Sequence, residues 1–115
     1  MPSEQQHTEK YKHNQKILSN SLFDSNYNDW KITVIFYSAV HIIETFLSKV
    51  KVHTSSHKER HKAVRQYRVL KEIADEYQTL YMLSIQARYD CVKFNDKTIN
   101  DALKLLKKIE QVVIC

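Results

Sequence analysis

The sequence predicts an all-α protein, an up-and-down bundle of four main helices plus one short basic helix, and three observations carry that prediction. The 115 residues contain no glycine and a single proline, Pro2. Tight hairpins and phosphate-cradling loops lean on positive φ angles, which glycine adopts without steric cost. Its absence argues against a Walker loop, a Rossmann fingerprint or a β-sandwich. Apolar side chains also recur every three or four residues along most of the chain, the period of helices with one buried face. Finally, 43% hydrophobic content over this length fills one modest core and no second one, so residues 1–115 read as a single domain.

Residues 1–6 are polar and expected to be frayed. A first amphipathic helix is expected from His7 to Leu22: Tyr11, Ile17, Leu18 and Leu22 share a face, while Glu9, Lys10, Lys12 and Lys16 stay in water. His7 and His13 fall on its polar part and are expected to be solvated. The stretch FDSNYND, residues 23–29, is dense in side chains that bond their own backbone, which marks a turn. Asn28 or Asp29 would cap the helix that follows.

That helix, Trp30 to Lys51, is the centre of the prediction. It is apolar almost all the way round, as a helix buried on most sides reads. A polar stripe of Tyr37, His41, Glu44 and Ser48 runs through it, with Ser38 and Thr45 at its edges. A buried imidazole and carboxylate are costly unless neighbouring helices satisfy them. The same interruptions at Ser38, His41 and Glu44 argue against a membrane span.

Ser55 or Ser56 is expected to cap a third, short helix, with Glu59 placed as the acid of a capping box after Ser56. His57, Arg60, His61 and Arg65 project from it at helical spacing, flanked by Lys58 and Lys62, a surface suited to phosphates. A fourth helix is expected to run unbroken from Arg68 to Asp90, with Leu70, Ile73, Tyr77, Leu80, Ser84 and Ala87 inward. Arg88 lies at the margin of that face, and Glu44 is its expected partner. Tyr37, His41, Glu44 and Arg88 would then form one internal polar network. After a connection over residues 91–96, Thr98 with Asp101 resembles another capping box. The closing helix turns Ile99, Ala102, Leu103, Leu106, Ile109 and Val113 inward.

The chemistry these residues support is narrower. A net charge of +5 leans toward an anionic partner, RNA or nucleotide, although the excess reads as modest and spread along the chain. Cys91 and Cys115 are in no metal or redox spacing, and no signal peptide is evident; a cytoplasmic protein with free thiols is expected. His57 and His61 stand four apart, as two zinc ligands would, but Lys58 occupies the place where the metalloprotease motif has its glutamate. No metal or cofactor is therefore expected. His41 and Glu44, one turn apart, could share a hydrogen bond that fixes the imidazole tautomer for acid–base work, or could simply set helix register.

The stretch WKITVIFYSAVHIIETFL, then HKERHKAVR, then IADEYQTLYMLSIQARYD and a closing amphipathic helix, resembles the HEPN superfamily of small helical-bundle proteins. Its most recognisable pieces are Tyr37 with His41, His57 with Arg60, and the string from Ser84 through Ala87, Arg88 and Tyr89. The resemblance covers the chain from about Trp30 onward. It implies an up-and-down, often homodimeric bundle of toxin–antitoxin, defence or RNA-processing systems, working with RNA or with an antitoxin-like protein partner. Many such proteins are metal-independent ribonucleases, with an arginine followed four to six residues later by a histidine. This chain lacks that motif: its last histidine is His61, and the only arginine before it is the adjacent Arg60. No catalytic residue is carried over. His41, His57 and Arg88 remain catalytic candidates from their own chemistry, and Arg60, His61, Arg65 and Arg88 are the expected phosphate ligands. The alternative is a non-catalytic, dimerising interaction module with an internal His–Glu–Arg network.

Overall fold

The computed structural model describes residues 3–19, 28–89 and 93–114, with the side chains of residues 17–19 excepted. Among these residues there are six helices and no strand: α1 (Glu4–Ser19), α2 (Asn28–Lys49), α3 (His57–Gln66), α4 (Arg68–Lys71), α5 (Ala74–Tyr89) and α6 (Asp96–Val113). The predicted all-α bundle is what the chain forms. Leu22, residues 23–27, Asp90, Cys91 and Cys115 lie outside the described residues, as do the side chains of Ile17 and Leu18.

α2 is the hub, packing against α1, α5 and α6. Ile32, Ile35, Phe36, Ala39, Ile43 and Leu47 are sealed in the core together with Leu70, Leu80, Ala102 and Ile109 from the other helices and Ile73 from the turn between α4 and α5. This packing accounts for the length and apolarity of α2, which alone would suffice to cross a bilayer; 61% of its most apolar window is instead buried within the bundle. Removing each such large side chain from water contributes about 1.5–3 kcal/mol.

The helix ends show how a chain without glycine turns. At the close of α2, Val52 N donates to Leu47 O (2.8 Å) and Lys51 N to Ser48 O (3.1 Å), the paired bonds of a Schellman motif. Lys51 sits at φ 61°, the only positive φ among the described residues. The left-handed position that glycine would occupy is filled by a lysine, at a cost of about 1–2 kcal/mol. α3 opens on Ser56, whose Oγ accepts from Glu59 N (3.1 Å). The Glu59 carboxylate reaches back one residue further than a standard capping box, to the N–H (2.7 Å) and hydroxyl (3.0 Å) of Ser55.

Four local expectations change. α1 begins at Glu4, so residues 4–6 are helical. The long fourth helix is interrupted: α4 ends at Lys71, and Ile73 N bonds Leu70 O (3.1 Å) before α5 begins. A turn closed at this three-residue spacing puts side chains three apart on one side, so Leu70 and Ile73 enter the core together. α6 is capped by Asn95, which accepts from Thr98 N (2.9 Å), one turn earlier than a Thr98–Asp101 box would place it. Asn28 is the first residue of α2, and its Nδ2 donates to Phe94 O (2.7 Å), fastening α2 to the segment before α6.

Candidate functional site

The polar stripe of α2 opens onto a cleft of about 280 Å³ lined by His7, Tyr37, Val40, His41, Glu44, His53, Thr54 and Arg60. Three helices supply it, α1 through His7, α2 through Tyr37, Val40, His41 and Glu44, and α3 through Arg60, with His53 and Thr54 added from the segment between α2 and α3.

Glu44 is buried, and its partner is Arg60. Arg60 Nε donates to Glu44 Oε1 at 2.7 Å, and the Thr54 hydroxyl donates to the same oxygen. The expected Glu44–Arg88 pair does not form, because α3, placed by its Ser56 cap, brings Arg60 to Glu44 first. A guanidinium only donates, so the 3.0 Å contact between Arg60 Nη1 and His57 Nδ1 fixes His57 as acceptor at Nδ1, with its proton on Nε2. Burial, then the charges of Arg60 and Arg88, lower the His57 pKa. Burial works against the Arg60 charge too, but the Glu44 hydrogen bond and neighbouring Tyr77 outweigh it and raise the Arg60 pKa.

His7 was expected in solvent and is instead buried, with its Nδ1 2.7 Å from His41 Nδ1. The physical reason lies in the helix period. His7 precedes Tyr11 by four residues and Asn14 by seven, and this row faces α2. One imidazole must donate and the other accept, so the pair holds at most one positive charge. Burial pushes the His41 pKa down to about 4, aided by the charges of His7, Lys10 and Arg60. The His7 pKa is lowered as well, chiefly by burial.

Arg88 reaches the stripe one turn further along, donating Nη1 to the Tyr37 hydroxyl (2.9 Å) and Nε to Ser84 O (3.2 Å). Tyr37 therefore joins two groups: the His41–Glu44–Arg60 cleft that it lines, and the Arg88–Ser84 contact on α5. Among the predicted residues, Arg60 touches both Glu44 and His57, His41 shares the cleft of Glu44 and Arg60, and Arg88 is linked through Tyr37. His61 and Arg65 face away from it, lining a separate groove between α3 and α5.

These environments decide the chemistry. At neutral pH the His7 and His41 imidazoles, both held below the ordinary value, are uncharged, and the Arg60 charge is already matched by Glu44. An imidazole held near pKa 4 is a weak base, since efficient general bases sit near the working pH. The cleft thus has the character of a satisfied polar core, one that locks α1, α2 and α3 in register.

The uncompensated charge lies elsewhere. Residues 57–71 carry six basic side chains and one acidic, whereas the rest of the chain carries twelve of each. The net +5 of the sequence therefore equals that of residues 57–71, one unit of it the Arg60 charge that Glu44 matches, a correction to the impression of an even spread. Lys58, Lys62, Arg65, Arg68 and Lys71 are exposed there. Among the described residues no group of three or more His, Cys, Asp or Glu side chains is arranged to hold a metal ion. Comparison with protein-family models, with curated proteins and with solved structures found no match.

Proposed function

We propose that this chain is an RNA- or nucleotide-contacting protein, a HEPN-like component of a toxin–antitoxin or defence system, which engages phosphates through the exposed basic face of α3 and α4. The observation that carries the reading is the confinement of the whole net charge to residues 57–71. Phosphate neutralisation by clustered lysine and arginine is the main source of sequence-independent nucleic-acid affinity. The rigid Glu44–Arg60 pair behind α3 supports this role by fixing the helix on the core, so that the lysines present a preset surface. In this reading His41, Glu44 and Arg60 hold structure, and the proposal assigns no cutting step to them. Titration of single-stranded RNA at increasing salt tests it. A steep, linear fall of log affinity with log salt is expected, and salt-independent or absent retention would contradict it.

A second reading is association with a protein partner or a second copy. It is favoured by the large apolar side chains left in solvent, Trp30 at 59%, Met82 at 49% and Tyr89 at 70% exposure. Sedimentation of the wild type and of Trp30→Ser at matched concentrations separates the two: a dimer that dissociates in the variant, together with no RNA retention, favours association.

A further inference from the structure

Between α3 and α5 lies a groove of about 430 Å³ that the cleft network does not use. Its size is in the range of sites for small ligands. Lys58, His61 and Arg65 line it from α3, three and four residues apart and so on one face, while Asp75, Gln78 and Tyr81 line it from α5. His61 packs against the Tyr81 ring at 4.5 Å, edge to face, and against Tyr77 at 5.0 Å. Its Nε2 is buried without a hydrogen-bond partner, as is the Tyr77 hydroxyl, which lies near Arg60 but makes no hydrogen bond of ordinary geometry. Burial, then the Arg65 charge, lowers the His61 pKa. No ion pair joins Asp75 to Lys58 or Arg65 across the groove, and the side chains of Lys58, Asp75 and Gln78 have no partner among the described residues.

The groove thus holds cations on one wall, an unpaired carboxylate on the other and aromatic rings between. That set matches a ligand with an anionic end, a flat heterocycle and adjacent N–H donors. We infer that the α3–α5 groove binds a guanosine nucleotide, its phosphate on Lys58 and Arg65, its base against Tyr81, and its Watson–Crick edge on Asp75. Guanine is the base whose N1–H and exocyclic amine form two neighbouring donors, the complement of one carboxylate. Adenine and cytosine offer an amine beside a ring acceptor, and uracil a single imide N–H between two carbonyls. Gln78, both donor and acceptor, can add a bond to the base oxygen. The inference deepens the proposed RNA contact and rests on that reading, since Lys58 and Arg65 belong to the same basic face, whereas His61, Asp75, Gln78 and Tyr81 belong to the groove alone.

Calorimetric titration with the four nucleoside 5′-monophosphates at low salt tests it. The monophosphate of guanosine is expected to bind at least about fivefold tighter than the other three, the smaller end of what a bidentate contact discriminates. Asp75→Asn should abolish that preference, while Lys58→Ala should weaken all four alike. Melting curves of both variants, whose substituted side chains are exposed, check that the fold is kept. A short oligouridine with one central guanosine, compared with one carrying adenosine, distinguishes a guanosine within RNA from a free nucleotide as the source. Equal or absent binding of the four monophosphates, or a preference that survives Asp75→Asn, overturns the inference even if RNA retention persists. Guanosine preference without RNA retention upholds the groove and removes the wider reading.

Discussion

Arg60 Nε lies 2.7 Å from Glu44 Oε1, with the two side chains only 11% and 5% exposed, and this pair ties the basic helix to the hub of the bundle. Burying two charges is costly, and their attraction with the Thr54 and His57 contacts offsets that cost. The charges that remain unmatched are therefore outside the core, on the surface of α3 and α4.

Removing one member of the pair leaves the other buried and uncompensated. Arg60→Ala should cost about 3–5 kcal/mol in urea unfolding, and Glu44→Ala a similar amount. The combined Arg60→Met/Glu44→Leu protein should lose far less than the sum, because neither charge is stranded. Additive losses would show that the two groups do not act as a unit.

The His7–His41 pair makes stability depend on pH. Both groups have folded pKa values below the ordinary 6.5, His41 at about 4, so the unfolded chain binds more protons in that interval. Their contribution is fully present above about 6.5 and is lost as the pH falls toward about 4. Glu44 favours protonation of the pair, whereas Arg60 opposes it at both rings, Lys10 at His41 and His53 at His7. Thermal melting through this window should show a steep fall for the wild type and a flatter one for His41→Gln, whose starting stability is lower. Parallel curves would remove the pair as the cause.

The two histidines also mark where the sequence is legible. The fold class, the central place of α2 and the Ser56 cap follow from local pattern, which a single chain displays. The burial of His7 was equally present in the four-residue step to Tyr11, but its terminal position and polar neighbours pointed to solvent. The choice between Arg60 and Arg88 for Glu44 was not legible, because both stand at packing margins and only the arrangement of α3 and α5 around α2 decides between them. The break between α4 and α5 has no proline or glycine to announce it, and is set by the shared burial of Leu70 and Ile73. The concentration of charge in residues 57–71 was hidden only by counting over the whole chain.

Lys51→Gly should stabilise the protein. The substitution removes the left-handed strain at φ 61° while keeping the Schellman bonds, against some added freedom of the unfolded chain. A net gain of about 0.5–1 kcal/mol is expected, seen as a rise of several degrees in Tm. A lower Tm would mean that the lysine side chain makes a contact worth more than the strain.

The central claim, that the α3–α4 face contacts RNA, is tested most directly by comparing two charge reversals of equal size. Lys62→Glu/Lys71→Glu alters the basic face, and Lys104→Glu/Lys107→Glu alters exposed lysines of α6, with the same change in net charge. Affinity for single-stranded RNA should fall sharply in the first protein only, with the log–log salt slope shallower by at least about 1.4, as expected for two lost phosphate contacts. Equal losses in both proteins, or none in the first, would contradict it.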